Sequence, residues 1–142
     1  MHFLLKTAKL PEELMAIPFA ESGFYVKKQP KNTRDHGAGI WMFIKSTARR
    51  YELQVDGGVD ERLDAAKETD AAVAYLSFLH KKFGDWNLAT IGYNKGESGL
   101  EKGIRRTGSR NPTKLRKAGE VNSYISKIMA SILIQKNPDI LD

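Results

Sequence analysis

The sequence predicts a mainly α-helical protein with little or no β-sheet. Apolar residues recur at three- and four-residue spacings along successive stretches, and no stretch shows the strict alternation of a half-buried strand. Pro, Gly and Asp stand between these stretches where helices start and stop. At 142 residues, 41% of them hydrophobic and 28% charged, the chain has the size and composition of one compact domain spanning 1–142, and disorder is excluded.

Pro11 suits a first helical turn, and Leu10, Leu14 and Ile17 follow at spacings of four and three. Pro18 interrupts this helix, which predicts a kink just before Glu21. Residues 23–38 read as loop, with Gly, Pro, Asn and Asp throughout. Ile40, Phe43, Ile44, Thr47 and Tyr51 trace one face of a second helix, with Lys45 and Arg49 opposite, and Gly57-Gly58 closes that part. Asp64 caps a long helix marked by Ala65, Thr69, Ala72, Val73, Leu76, Leu79 and Phe83, which Gly84 ends. Asp85 caps the next, through Leu88 and Ile91 towards Asn94. A short, glycine-broken helix near 98–106 leads into a basic loop, GSRNPTK. The last helix runs from about Glu120, with Val121, Tyr124, Ile125, Ile128, Met129 and Ile132 as its inner stripe, and stops near Asn137-Pro138.

Charge is unevenly spread. Of the 23 basic residues, eight lie between Lys95 and Lys117 (Lys95, Lys102, Arg105, Arg106, Arg110, Lys114, Arg116, Lys117), against Glu97 and Glu101. The rest is balanced, so this basic lobe carries the whole net charge of +6. It suits a polyanionic partner such as nucleic acid, anionic lipid or an acidic cell-wall polymer, and equally a solvated charged loop. The absence of cysteine excludes disulfides and thiolate metal sites, and His2, His36 and His80 lack ligand spacing, so no metal or cofactor is expected. The Phe3-Leu4-Leu5 run is too short for a signal-peptide core, and no transmembrane segment is expected.

One side chain stands out. Glu21 follows Leu14 by seven positions, within about 20° of it around a helix axis, and Ile17 by four. If the register survives Pro18, the carboxylate faces the core. Loss of hydration then raises its pKa, and a two-unit rise, about 2.7 kcal/mol, suits a general acid. A carboxylate held by an arginine or by helix N–H groups, or swung outward by the kink, fits the same residues.

Glu21-Ser22, then Gly37-Ala38-Gly39-Ile40-Trp41, then Gly92-Tyr93-Asn94-Lys95-Gly96, then Glu120 with Tyr124 come in a definite order from about residue 10 to 134. This order resembles the catalytic domain of the lytic murein transglycosylases, most like the membrane-bound lytic transglycosylase D branch. The resemblance implies a goose-type lysozyme-like helical domain with a cleft, acting on peptidoglycan glycan strands as a monomer, in the periplasm or outside the cell. It implies Glu21 as the single acid/base and Ser22, Thr33, Gly39, Ile40, Trp41, Met42, Tyr93, Asn94, Glu120 and Tyr124 as substrate-binding positions. Tyr93 and Tyr124 also read as core aromatics, and Glu120 as a first-turn carboxylate. The family's glutamine is Met42 here, which deletes an amide's donors and acceptor. That substitution implies lost activity, compensation, or a modified glycan such as de-N-acetylated murein.

With one carboxylate, the family's path is transglycosylation to a 1,6-anhydro product. Asp35, before His36-Gly37, is the candidate to position water for hydrolysis, and also reads as a turn former. Arg105, Arg106, Arg110 and Lys114 would then attract acidic murein. The rivals are a catalytically silent cell-wall binding domain and a basic helical nucleic-acid binder. The latter has no interleaved aromatics and no use for Glu21.

Overall fold

The computed structural model describes residues 5–6, 8–137 and 139, and helices dominate them. The chain forms two compact units, up to Tyr75 and from Leu76 onward. Among the described residues no helix is long and apolar enough to cross a membrane.

In the first unit, Pro11 (φ −56°, ψ 135°) leads into a 3-10 turn, Glu12–Met15, and then helix α1, Ala16–Ser22. The expected single helix with a kink at Pro18 is therefore corrected. Pro18 is the third residue of α1, in a first turn whose N–H groups have no intrahelical acceptor, so its ring removes no bond. The helix ends at Gly23, whose φ of 65° lets its N–H reach Phe19 O (2.9 Å) while Phe24 N–H donates to Pro18 O (3.4 Å). Glu21 and Ser22 are the last two residues before this stop.

The second helix is shorter than its periodicity predicts. Helix α2 covers only Lys45–Arg50. Residues 40–43 form a turn, with Met42 at φ 55° and an isolated bridge pairing Ala38 with Phe43. Strands β1, Val55–Asp56, and β2, Val59–Asp60, pair antiparallel across Gly57-Gly58, a two-residue hairpin turn that Gly-Gly favours. A 3-10 turn, Glu61–Leu63, leads to helix α3, Ala65–Phe83, of which the residues up to Tyr75 belong to this unit. Asp64 caps it as expected, its Oδ1 accepting from Ala66 N–H (3.0 Å) and Lys67 N–H (3.1 Å). The buried side chains of this unit include Leu14, Ile17, Ile40, Trp41, Phe43, Val55 and Tyr75.

In the second unit, Asp85 Oδ1 accepts from Leu88 N–H (2.9 Å) at the start of helix α4, Trp86–Lys95. Helix α5 covers Glu97–Thr107, α6 Pro112–Lys117 and α7 Tyr124–Lys136. Helix α4 packs on α5 and α7, and α5 on α6. The backbone of Gly92 in α4 is closely approached: a Cβ there would lie 3.2 Å from Leu79 Cδ2 and 3.4 Å from Phe83. Two expectations are corrected. Half of the basic loop is helical, because Asn111 caps α6 by accepting from Thr113 N–H (2.9 Å) and Lys114 N–H (3.1 Å), with Pro112 at the first position. Glu120 does not open the last helix; its N–H closes the turn after α6 on Leu115 O (2.9 Å). Of the expected stripe, Val121, Tyr124 and Ile128 are buried, Ile125 and Ile132 half-buried, and Met129 turns outward at 50% exposure. The helix ends at Lys136 before Asn137; Pro138, like His2, lies outside the described residues.

Replacing Asp85 with Ala removes the acceptor for Leu88 N–H. Urea unfolding should show a loss of about 1 kcal/mol, and Asp85→Asn, which keeps an acceptor, a loss below about 0.5 kcal/mol.

Candidate active site

The first unit ties the end of α1 to the turn at residues 39–43. Glu21 is half-buried, and the next side chain, Ser22, is buried. The Ser22 hydroxyl donates to Ile40 O (2.7 Å) and also lies 3.0 Å from Pro18 O. A glutamate would otherwise sit on a fraying last turn; here the residue beside it is bonded across 18 positions of sequence.

The turn itself is unusual. Gly39 (φ 86°) and Met42 (φ 55°) are both left-handed, which turns successive N–H groups toward one concave side, an anion-binding shape. A carboxylate fills it. Glu68, from the first turns of α3 and 0% exposed, accepts from Ile40 N–H (2.7 Å) and Trp41 N–H (3.0 Å) on Oε2, and from Phe43 N–H (3.4 Å) on Oε1. Gly39 has no alternative, since a Cβ there would collide with the Glu68 carboxylate and the Arg62 carbonyl. The indole of Trp41 donates to Thr69 Oγ1 (3.0 Å), next along α3.

A buried guanidinium balances the carboxylate. Arg62, also 0% exposed, donates to Phe43 O (2.9 Å) and Gln29 Oε1 (2.9 Å) and grips Asp60 through both carboxylate oxygens (2.8 and 2.7 Å). The Arg62 hydrogen bonds hold the Asp60 carboxyl below its usual range. Glu68 goes the other way. Burial pushes it from 4.5 up to about 7, against the pull of the N–H donors and the Arg62 charge.

The other nominated residues of this unit are placed as follows. Ile40 and Trp41 are buried, and their N–H groups are already committed to Glu68 and the Ile40 carbonyl to Ser22, so they shape the turn and present little to a ligand. Met42 is half-buried, and its carbonyl lies against the Cα of Gly37. Thr33 is exposed and donates to Pro30 O (2.7 Å) within its own loop. Asp35 is exposed on a bend. A separate recess of about 580 Å³, lined by residues such as Arg50, Tyr51, Lys67 and Asp70, includes none of the nominated residues.

The second unit gathers three nominated residues around a recess of about 270 Å³: Asn94, at the end of α4, with Glu120 and Tyr124. Tyr93 is half-buried on α4 and is not among the residues lining that recess. Glu120 is buried, its carboxylate paired with Arg106 (2.9 Å) and Lys95 (3.4 Å), and Lys95 also donates to the Glu120 carbonyl. Asn122 Nδ2 donates to Asn94 Oδ1 (3.5 Å), and both residues line the recess. Within the basic lobe, Arg105 and Lys114 are exposed, Arg106 is tied to Glu120, and Arg110 donates to Phe83 O.

Glu68, Arg62 and Asp60 were not nominated from the sequence. The signal for Glu68 was present: it precedes Ala72, Leu76, Leu79 and Phe83 at spacings of four, four, three and four, on the buried stripe of α3. Its elevated carboxyl contributes stability that is complete below pH 4.5 and is lost as pH rises through about 7. Unfolding measured from pH 4.5 to 7.5 should therefore show a loss of about 3 kcal/mol from this group, and Glu68→Gln should flatten it.

The chain matches the Transglycosylase SLT domain over residues 4–116. It is 34% identical over 139 residues to "Membrane-bound lytic murein transglycosylase D" of Escherichia coli K12, covering 94% of this chain and 30% of that protein. It is 32% identical over 96 residues to a "Putative tributyltin chloride resistance protein" of Alteromonas sp. strain M-1, covering 67% of this chain and 45% of that protein. The chain thus spans under half the length of these relatives. With a family model matched over most of its residues, it belongs to the Transglycosylase SLT domain family.

Proposed function

We propose that the chain is one catalytic domain, residues 1–142, that cuts the β-1,4 bond between N-acetylmuramic acid and N-acetylglucosamine in peptidoglycan, with Glu21 as general acid and base. The observation that carries this is the hydrogen bond from Ser22 to the Ile40 carbonyl, which fastens the helix end next to half-buried Glu21 to the 39–43 turn. Membership of the family and the name of the Escherichia coli relative support murein as the substrate class.

Protonated Glu21 gives its proton to the bridging oxygen as the bond to the muramic C1 breaks, and the electron pair leaves with the glucosamine. The substrate's own acetamido oxygen steadies the cationic carbon. Ionised Glu21 then takes the proton of the sugar's 6-hydroxyl while that oxygen bonds to C1, closing a 1,6-anhydro ring and restoring the acid. No metal or cofactor takes part. Ser22 positions the acid, Met42 lines the strand on the turn that Gly39, Ile40 and Trp41 build, Thr33 contributes a hydroxyl, and Tyr93, Asn94, Glu120 and Tyr124 bind further sugars. Arg105 and Lys114, with Arg106 and Arg110, draw in the anionic polymer, with attraction that weakens as salt rises. The working form is a monomer in the periplasm or outside the cell. If a water positioned by Asp35 replaces the 6-hydroxyl, the same acid gives hydrolysis.

Met42 puts a thioether where the family has an amide, and this favours a glycan altered at the matching group, such as de-N-acetylated murein. Where the altered group is the assisting acetamido itself, the hydrolytic path with Asp35 takes the place of ring closure.

Digestion of defined murein tests the chemistry. Glu21→Gln should keep its fold and lose about 10²–10⁴-fold in turnover, and mass spectrometry should find anhydro ends from the parent chain. Reducing ends would select hydrolysis, and undiminished turnover in Glu21→Gln would remove Glu21 from the reaction. For specificity, Met42→Gln should raise the rate on fully N-acetylated murein relative to the de-N-acetylated polymer by about tenfold, within the 1–3 kcal/mol of one buried hydrogen bond. A parent chain that already prefers the fully acetylated polymer contradicts the assignment to Met42.

A further inference from the structure

We infer that Glu68 is a positioning residue for the reaction: its carboxylate fixes the backbone of Ile40–Phe43 and, through the Ile40 carbonyl, the setting of Ser22 and the end of α1 that carries Glu21. The inference rests on the reading of Glu21 as the acid.

A core-facing helix position is ordinarily apolar, and the stripe that Glu68 heads continues with Ala72, Leu76 and Leu79. Placing a carboxylate there costs desolvation. What it supplies is an acceptor for three N–H groups, those of Ile40, Trp41 and Phe43. Left unpaired, each would cost the protein more than the bond itself contributes. Glu68 therefore selects this turn over the helix that the 40, 43, 44, 47 spacing would otherwise allow. The selected turn points the Ile40 carbonyl at the Ser22 hydroxyl, 2.7 Å away, and the peptide bond carries the constraint one residue back to Glu21.

The groups facing Glu68 all suit its ionised form. From the 39–43 turn come the three N–H donors. From the 3-10 turn comes the positive charge of Arg62, whose own partner is Asp60. On α3 itself, the Thr69 hydroxyl is committed to Ala65 O and the Trp41 indole. A neutral acid would place an O–H among donors and lose an acceptor. Since burial lifts Glu68 to about 7, the wall of the site changes its hold across neutral pH.

Two readouts test this. In ¹⁵N–¹H NMR spectra of the parent chain, the Ile40 and Trp41 amide signals should shift together with a midpoint near 7, and Glu68→Gln should abolish the shift. In murein turnover, kcat should rise through the same midpoint, and Glu68→Gln should lower it about ten- to a hundredfold with KM within about threefold, and without that pH limb. Should Glu68→Gln not fold, Glu68→Asp keeps the charge, and its kcat and amide midpoints must still coincide. Amides that do not titrate together, midpoints that diverge, or a folded Glu68→Gln with parental kcat at every pH each overturn the proposal. A parent chain inert to murein with titrating amides instead overturns the reading of Glu21 and leaves the hold of Glu68 on the turn intact.

Discussion

Three backbone N–H groups in a five-residue turn must find acceptors, and in this protein one carboxylate meets them all. The constraint begins with two left-handed residues, Gly39 and Met42, which bend the chain so that its donors converge. Glu68 enters that concavity from α3. Gly39 must then lack a side chain, since the space a Cβ would take is filled by Glu68 and the Arg62 carbonyl. Arg62, gripped by Asp60, adds a weaker attraction to the same buried carboxylate. The hydrogen bond that fastens Ser22, and with it the helix end bearing Glu21, exists because the turn presents the Ile40 carbonyl where it does.

Such a network is a poor way to gain stability. Buried ions lose their hydration, and apolar residues of similar volume often stabilise a core at least as well. Its use is geometric: a set of converging, directional bonds admits one backbone conformation where apolar packing would admit several. The second unit applies the same device at lower stakes. Glu120 is buried between Lys95 and Arg106 and fixes the 119–120 turn beside the recess that Asn94 and Tyr124 line.

What the sequence revealed and what it hid follow from the range of the forces involved. Helices α3 and α4 were legible because their signals are local: Asp64 and Asp85 cap N–H groups two or three residues away. The turn at 40–43 was not, because its apolar spacing is helical and the acceptor that overrules it lies 25 to 28 residues further on. Pro18 was read as a breaker because the boundary between the 3-10 turn and α1, which puts it in a first turn, leaves no mark in the local pattern. The hairpin at Gly57-Gly58 had its turn residues in view, but two-residue strands give no alternation to detect. Glu21 is visible in the sequence as a carboxylate that shares a face with apolar residues. Glu68 has the same signature in α3, masked because the apolar spacing extends back to Ala65. Ala65 is exposed.

In the proposed reaction the carboxyl of Glu21, at the end of α1, meets the glycosidic oxygen of a murein strand. The most direct measurement is an experimental structure of the inactive Glu21→Gln variant with a murein oligosaccharide bound. The bridging oxygen between muramic acid and glucosamine should lie within about 3 Å of the residue 21 side chain, with the sugar against Met42. A strand seated elsewhere, for instance in the recess lined by Arg50 and Lys67, with residue 21 untouched, would contradict it.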